Sequence, residues 1–318
     1  MKALITGVAG FIGSSLAARL LEQGNQVTGI DCFTDYYPRP VKEANLAPLH
    51  DRPGFRFVES TIQAAPLSSL LADTTHVFHL AAQAGVRKSW GRDFQVYTVN
   101  NIEATQVLLE ACVGTAIERL VYASSSSVYG DDTELPMRET AVPAPLSPYG
   151  VTKLAAEHLC NLYHANHGVP SVSLRYFTVY GPRQRPDMGF HRFLKAARDG
   201  RPITVFGDGG QTRDFTFVAD AVTATADAGV RGVPGRVYNI GGGSRVSLIE
   251  VLDLVGAVSG RRLDLRYEPA QKGDMRDTFA DTSRARADLG FSPSVTIEEG
   301  LRAEYEWLSA SLDHAGME

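Results

Sequence analysis

The chain has 318 residues, 44% of them hydrophobic, enough to bury a large core in one big domain with a second, closely joined lobe. Its formal charge of -5 and pI near 5.9 exclude a general binder of nucleic acid or acidic membranes, since such a binder needs a basic face. A small anionic ligand needs only local arginines.

From the N-terminus, Met1-Lys2-Ala3-Leu4-Ile5-Thr6-Gly7 holds one basic residue and an apolar run too short for a secretory leader, and it enters a glycine-rich turn at once. No stretch approaches the roughly 18 consecutive apolar residues of a membrane helix. A soluble, cytoplasmic protein is therefore expected. Cys32, Cys112 and Cys160 are odd in number, widely spaced and without metal-ligand patterns around them, which predicts unpaired thiols in a reducing compartment and no metal.

Short apolar runs at Lys2 to Thr6, Gln26 to Ile30, Phe55 to Val58, Thr75 to Leu80 and Arg119 to Ala123 read as strands. Phe11 to Gln23 and Thr98 to Cys112 have helical apolar spacing. This βαβ order predicts a doubly wound, mostly parallel sheet. A further helix is expected from Tyr149 to His167, ended by Gly168 and Pro170, and a strand from Ser171 to Tyr176. Beyond residue 178, proline- and glycine-rich connections separate short elements, the pattern of a smaller lobe laid over the carboxyl edge of the sheet.

Gly7-Val8-Ala9-Gly10-Phe11-Ile12-Gly13 follows the first strand and opens the first helix. Glycines there permit close backbone approach, while the helix N-terminus offers N–H donors to a pyrophosphate. Alone, such a turn also serves as a mere turn. Asp31 at the end of the second strand strengthens the dinucleotide reading, because a carboxylate there accepts from a ribose diol and repels a 2′-phosphate, favouring NAD over NADP. Leu80-Ala81-Ala82-Gln83 and Asn101 fall at strand ends beside the expected cofactor. Tyr149 and Lys153 lie one helical turn apart, where an ammonium can stabilise phenolate, although that spacing also suits an ordinary helix surface.

With GxxGxxG, His79-Leu80-Ala81-Ala82, the run Ser124-Ser125-Ser126-Ser127 and YxxxK in this order, the chain resembles the extended short-chain dehydrogenase/reductases, in particular NAD-dependent nucleotide-sugar epimerases and dehydratases. The resemblance continues through Arg175-Tyr176-Phe177, Tyr180-Gly181-Pro182, Gln211-Thr212-Arg213-Asp214-Phe215, Val218-Ala219-Asp220, Tyr238-Asn239-Ile240-Gly241 and Gly273-Asp274. It implies an α/β architecture. A Rossmann-type domain over 1–177 would carry Ser125, Tyr149 and Lys153, and 178–318 would form mainly a nucleotide-sugar lobe, with some segments returning to the large domain. It also implies a homodimer and tightly held, regenerated NAD on Gly7, Gly10, Phe11, Ile12, Gly13, Asp31, Thr61, Ile62, Leu80, Ala81, Ala82, Gln83, Asn101, Tyr149, Lys153 and Tyr176. Tyr149 would be the base, Lys153 would lower its pKa, and Ser125 would contact the sugar hydroxyl.

Asp35-Tyr36-Tyr37, Ala82-Gln83-Ala84-Gly85-Val86-Arg87 and Thr178-Val179-Tyr180-Gly181-Pro182-Arg183-Gln184-Arg185-Pro186-Asp187-Met188 look most like UDP-glucuronate 4-epimerases. Related decarboxylases tend to place Glu at the position of Ser127, and dehydratases an Asp-Glu pair at Ser126 and Ser127. Without those acids, epimerisation through a 4-keto sugar is the expectation, ahead of UDP-glucose/galactose epimerisation, decarboxylation or a non-catalytic dinucleotide-binding regulator. The expected sugar and phosphate contacts are Arg87, Ser125, Ser126, Ser127, Thr178, Arg185, Phe206, Arg213 and Arg276, with Arg185 as a fork on the sugar carboxylate. Thr61, Ala104 and Arg192 depart from the family pattern; at the first, an Asp usually contacts adenine.

Overall fold

The computed structural model describes residues 1–269 and 275–315. Gly273 and Asp274 lie outside the described residues. Six strands, β1 (Lys2–Thr6), β2 (Gln26–Asp31), β3 (Phe55–Glu59), β4 (His76–His79), β5 (Arg119–Ser125) and β6 (Ser171–Tyr176), are joined by a seventh, Val237–Ile240. They lie in the order Val237–Ile240, β6, β5, β4, β1, β2, β3, all parallel.

Alternating side chains explain why these strands read as nearly continuous apolar runs. Ala3 and Ile5 of β1 enter the core shared with Phe11, Leu16 and Leu20 of the helix Phe11–Glu22 and Ala221 of the helix Val218–Arg231. Leu4 faces the other way, toward Leu108 and Leu109 of the helix Ala104–Cys112 and Ala156 and Cys160 of the helix Pro148–His167. Covered on both faces, the sheet has no polar side, as expected of parallel βαβ units. Chain order reverses between β1 and β4, which opens a crevice at the carboxyl edge.

The strands fall within about one residue of their expected ends, except that β5 runs two residues further, to Ser125. The helix expected from Thr98 begins at Phe94 and passes through a π-helical turn at Thr98–Glu103 before Ala104–Cys112. Beyond residue 178 the chain divides. The helices Gly189–Asp199, Leu248–Ser259 and Ile297–Ala315 form a separate core with Tyr180, Phe190, Leu194, Val251 and Leu301. Val218–Arg231 and Val237–Ile240 return to the large sheet.

Candidate active site

A cavity of about 400 Å³ follows the crevice. At one end stand Gly7, Gly10, Phe11, Ile12, Gly13 and Asp31. Gly7 has φ +74°, and the Gly7 and Val8 N–H groups both donate to Ile30 O, which folds the turn against β2. A Cβ on Gly13 would stand 2.1 Å from Gly7 O, so glycine alone permits this turn. Asp31 accepts from Ala9 N at 3.0 Å and Phe33 N at 2.9 Å, which locks its carboxylate at the rim. Thr61, Ile62, Leu80, Ala81, Ala82 and Tyr176 line the walls. A side-chain-free backbone cradle at a helix N-terminus, with a fixed carboxylate beyond it, fits a dinucleotide such as NAD.

At the other end lie Ser125, Ser126, Ser127, Tyr149, Lys153, Thr178 and Arg185. Ser147 caps the helix Pro148–His167 by accepting from Gly150 N at 3.1 Å, and Pro148 pre-sets its first turn, so Tyr149 is presented at the very start of the helix. Ser125 Oγ accepts from Ser127 N at 3.1 Å, which leaves its proton for Tyr149, the partner it hydrogen-bonds. Tyr97 packs edge-on against the Tyr149 ring at 6.3 Å. Lys153 is buried, its Nζ 4.6 Å from the centre of the Tyr122 ring.

Electrostatics here depart from the sequence-based expectation. Burial raises the Tyr149 phenol above its ordinary value; the Ser125 hydrogen bond and the Arg185 charge oppose that rise. Lys153 is itself pushed down to about 7 by burial, with Cys160 and Glu157 opposing. The charge and donor that favour phenolate thus come from Arg185 and Ser125, while desolvation limits the lysine. Glu157 is tied to Ser124 and Arg175 at 2.6 Å each, joining the end of β5 to the helix that bears the Tyr–Lys pair.

Five further expectations need correction in placement, and Arg185, which does line the cavity, in its partner. Gln83 and Asn101 do not line the cavity: Gln83 N donates to Asn101 Oδ1 at 2.7 Å, and Asn101 Nδ2 donates to Gln83 O and Thr152 Oγ1 at 3.0 Å each. The Asn101 amide thus clamps the loop after β4 to the helix carrying Tyr149, while Gln83 Nε2 donates to Ala84 O at 3.4 Å, and Ala82, Ala84 and Asn100 form the wall instead. Arg185 directs its fork at Asp187, Nε to Oδ1 at 3.0 Å and one terminal nitrogen to Oδ2 at 3.1 Å, so those donors already hold a carboxylate within the chain. Arg87 lies 4.6 Å over the Phe206 ring, and neither residue lines the cavity. Arg276 is exposed and faces Asp208 at 3.5 Å.

Arg213 donates to Thr212 O, Arg276 O and Met275 O, and it lines a second cavity of about 170 Å³ with Met275, Thr278 and Ser147. Ser126, Ser127, Thr178 and Val86 belong to both cavities and join them.

Sequence reasoning did not assign Tyr36, Tyr37, Lys42 or Met188 to the site, yet all four line the large cavity. Tyr36 OH donates to Asp187 Oδ2 at 3.1 Å, so the loop after β2 reaches across to the 178–188 segment. The Asp35-Tyr36-Tyr37 motif was their available signal.

Residues 3–241 match the NAD dependent epimerase/dehydratase family. The chain belongs to that family. Among its relatives, an uncharacterized UDP-glucose epimerase, YtcB, of Bacillus subtilis (strain 168) is 45% identical over 312 residues, 98% of each chain. The UDP-glucuronate 4-epimerase of Thermodesulfobacterium geofontis (strain OPF15) is 36% identical, over 98% of this chain and 97% of that one. The UDP-glucuronic acid 4-epimerase of Bacillus cereus, solved with UDP-glucuronic acid and NAD, superposes with a TM-score of 0.95 at 45% identity, covering 98% of this chain and 100% of that one. The family is NAD dependent. Among the described residues, no group of three or more His, Cys, Asp or Glu side chains is placed to hold a metal, and no helix is long and apolar enough to cross a membrane.

Proposed function

We propose that this protein is an NAD-dependent UDP-sugar 4-epimerase that converts UDP-glucuronate to UDP-galacturonate through a transient 4-keto sugar. The observation that carries this reading is the convergence of Ser125, Tyr149 and buried Lys153 on one end of the cavity, where it meets a wall of hydroxyls.

Tyr149 takes the proton of the sugar 4-hydroxyl and later returns it, with Ser125 donating to the phenolate oxygen. NAD, when bound, supplies the acceptor for the C4 hydride and, once reduced, the donor that restores it. Lys153 holds the nicotinamide ribose. The keto sugar turns over within the pocket before it is reduced from the opposite face, which inverts C4. Because this intermediate is a β-keto acid, its carboxylate must be held with the C–C bond out of line with the carbonyl π system. Ser126, Ser127 and Thr178 supply hydroxyl donors for that purpose. With serine at 126 and 127, no acid stands there to drive elimination. Arg213 borders the second cavity, which we assign to the nucleotide diphosphate.

NMR of products from UDP-glucuronate and UDP-glucose tests the assignment. Inversion at C4 of the glucuronate without carbon dioxide is expected; a pentose product, or turnover of UDP-glucose alone, overturns it. Thr178→Val lowers kcat/KM for UDP-glucuronate about tenfold more than for UDP-glucose, the size expected when a hydrogen bond to a charged group is lost. The second reading, a UDP-glucose epimerase, is favoured by the name of the Bacillus subtilis relative and by the engagement of Arg185 with Asp187.

The same proposal divides the chain into a cofactor domain, 1–177, and a mainly substrate-binding lobe, 178–318. It also makes the protein a cytoplasmic homodimer. Free Cys32, Cys112 and Cys160 support a reducing compartment. Val96, Val99, Val151 and Leu162, exposed along the neighbouring helical segments 94–112 and 148–167, support pairing of these helices with a second copy.

A further inference from the structure

The segment from Thr178 to Met188 enters the large cavity at both ends, through Thr178 and Val179 and again through Arg185 and Met188. Between them the chain turns away from the cavity. Gln184 N donates to Gly181 O at 3.0 Å, and Gln184 Nε2 donates to Val179 O at 3.2 Å, so the turn is internally braced. Tyr180 packs against Phe190, Phe215 and Phe217, with its hydroxyl on Thr296 O at 3.2 Å.

At the far side of this turn stands Glu304, on the helix Ile297–Ala315. It is 0% exposed. Its Oε2 accepts from Gly181 N at 2.8 Å, and its Oε1 is buried with no partner among the described residues. A buried carboxyl with one oxygen unsatisfied is unfavourable for stability by itself, and an apolar side chain would fill the same place without that cost. Its one side-chain hydrogen bond among the described residues is to the backbone of the segment that carries Thr178 and Arg185.

We propose that Glu304 is a positioning residue: by holding the Gly181 N–H, the C-terminal helix fixes the 178–188 segment and so sets the orientation in which Thr178 holds the sugar carboxylate. The inference rests on the glucuronate reading for its product outcome, though its loop outcome does not. Thr216 N on Thr178 O at 2.9 Å and the Tyr180 hydroxyl on Thr296 O still hold the segment, but without Glu304 the Gly181 N–H has no acceptor, and the slack would let the carboxylate rotate into line with the keto group, with loss of carbon dioxide.

The test compares E304L, E304D and E304Q in the full chain. E304L removes the acceptor at similar volume, E304D withdraws it by one methylene, and E304Q retains an acceptor. Hydrogen exchange of the peptide 178–188, kcat and KM, the ratio of pentose to epimer, and bound NAD are measured. In E304L we expect faster exchange confined to 178–188, about a tenfold fall in kcat/KM, a measurable pentose fraction and full NAD content. E304D shows the same changes more weakly, and E304Q behaves as the wild type. Wild-type exchange and product ratio in E304L overturn the inference; should E304L not fold, the same result in E304D overturns it. If the wild type turns over UDP-glucose alone, the functional reading fails, while exchange and kcat/KM on UDP-glucose still decide the role of Glu304.

Discussion

Tyr149 and Ser125 act as one unit in the structure. Ser125 Oγ accepts from Ser127 N–H, and as a donor to the phenol oxygen it opposes the rise that burial imposes on Tyr149. Tyr149→Phe keeps the ring packed against Tyr97 and removes the proton acceptor. Turnover should fall about 10³-fold with NAD still bound, as initial rates and cofactor absorbance will report. Lys153 makes a separate pH prediction for the protein without ligand. Its ammonium titrates near 10.5 when unfolded and about 7 when folded, so between those values the unfolded chain binds more protons and stability rises with pH. Lys153→Met flattens that rise, measured as melting temperature from pH 7 to 10; an unchanged slope refutes the burial argument. Gln83 and Asn101 show where residue-level reading fails. Polar side chains beside a cofactor turn look like ligands, but the Asn101 amide is held by the Gln83 backbone and Thr152, contacts between segments distant in sequence, and the Gln83 amide by Ala84 O.

Among the elements, the helix Pro148–His167 matters most, because its first turn presents the base and its second the lysine. The sequence puts its start at Tyr149, one residue late, and its end was legible from Gly168, which adopts φ +70°. Ser147→Ala leaves the Gly150 N–H without its cap. A loss of about 1 kcal/mol in unfolding free energy is expected by denaturant titration, with a larger proportional loss in kcat than in cofactor affinity. The strands were legible because, buried on both faces, they must be apolar throughout. The helix beginning at Phe94 was not. Its π-helical turn breaks the 3.6-residue period, and Asn101 within that turn is bonded to the loop after β4, a contact no local pattern records.

For the whole molecule, the seven-stranded parallel sheet places the glycine turn, the serine run and the Tyr–Lys pair around one crevice, and the lobe beyond residue 178 closes its far side. The exposed apolar side chains on 94–112 and 148–167 lie on the outside of this arrangement, away from the lobe's own core. Val151→Glu combined with Leu162→Glu should convert a dimer to a monomer in light scattering, with the fold retained; a mass unchanged from wild type removes this face from consideration.

Local chemistry made the strand–turn–helix order, the glycine turn and the Tyr149–Lys153 spacing legible, because each depends on residue types a few positions apart, whereas Ser125 was expected only from the family resemblance. Only the tertiary structure decided which cations are free to meet a ligand. Arg185 finds Asp187, Arg276 faces Asp208 across the lobe, and Arg213 is spent on backbone carbonyls. Charge partners are chosen by proximity in space, and burial sets how strongly each charge is felt. That is why the same sequence that names the lysine cannot say that desolvation holds it near neutrality, or that a glutamate some 120 residues beyond the active-site segment holds its backbone in place.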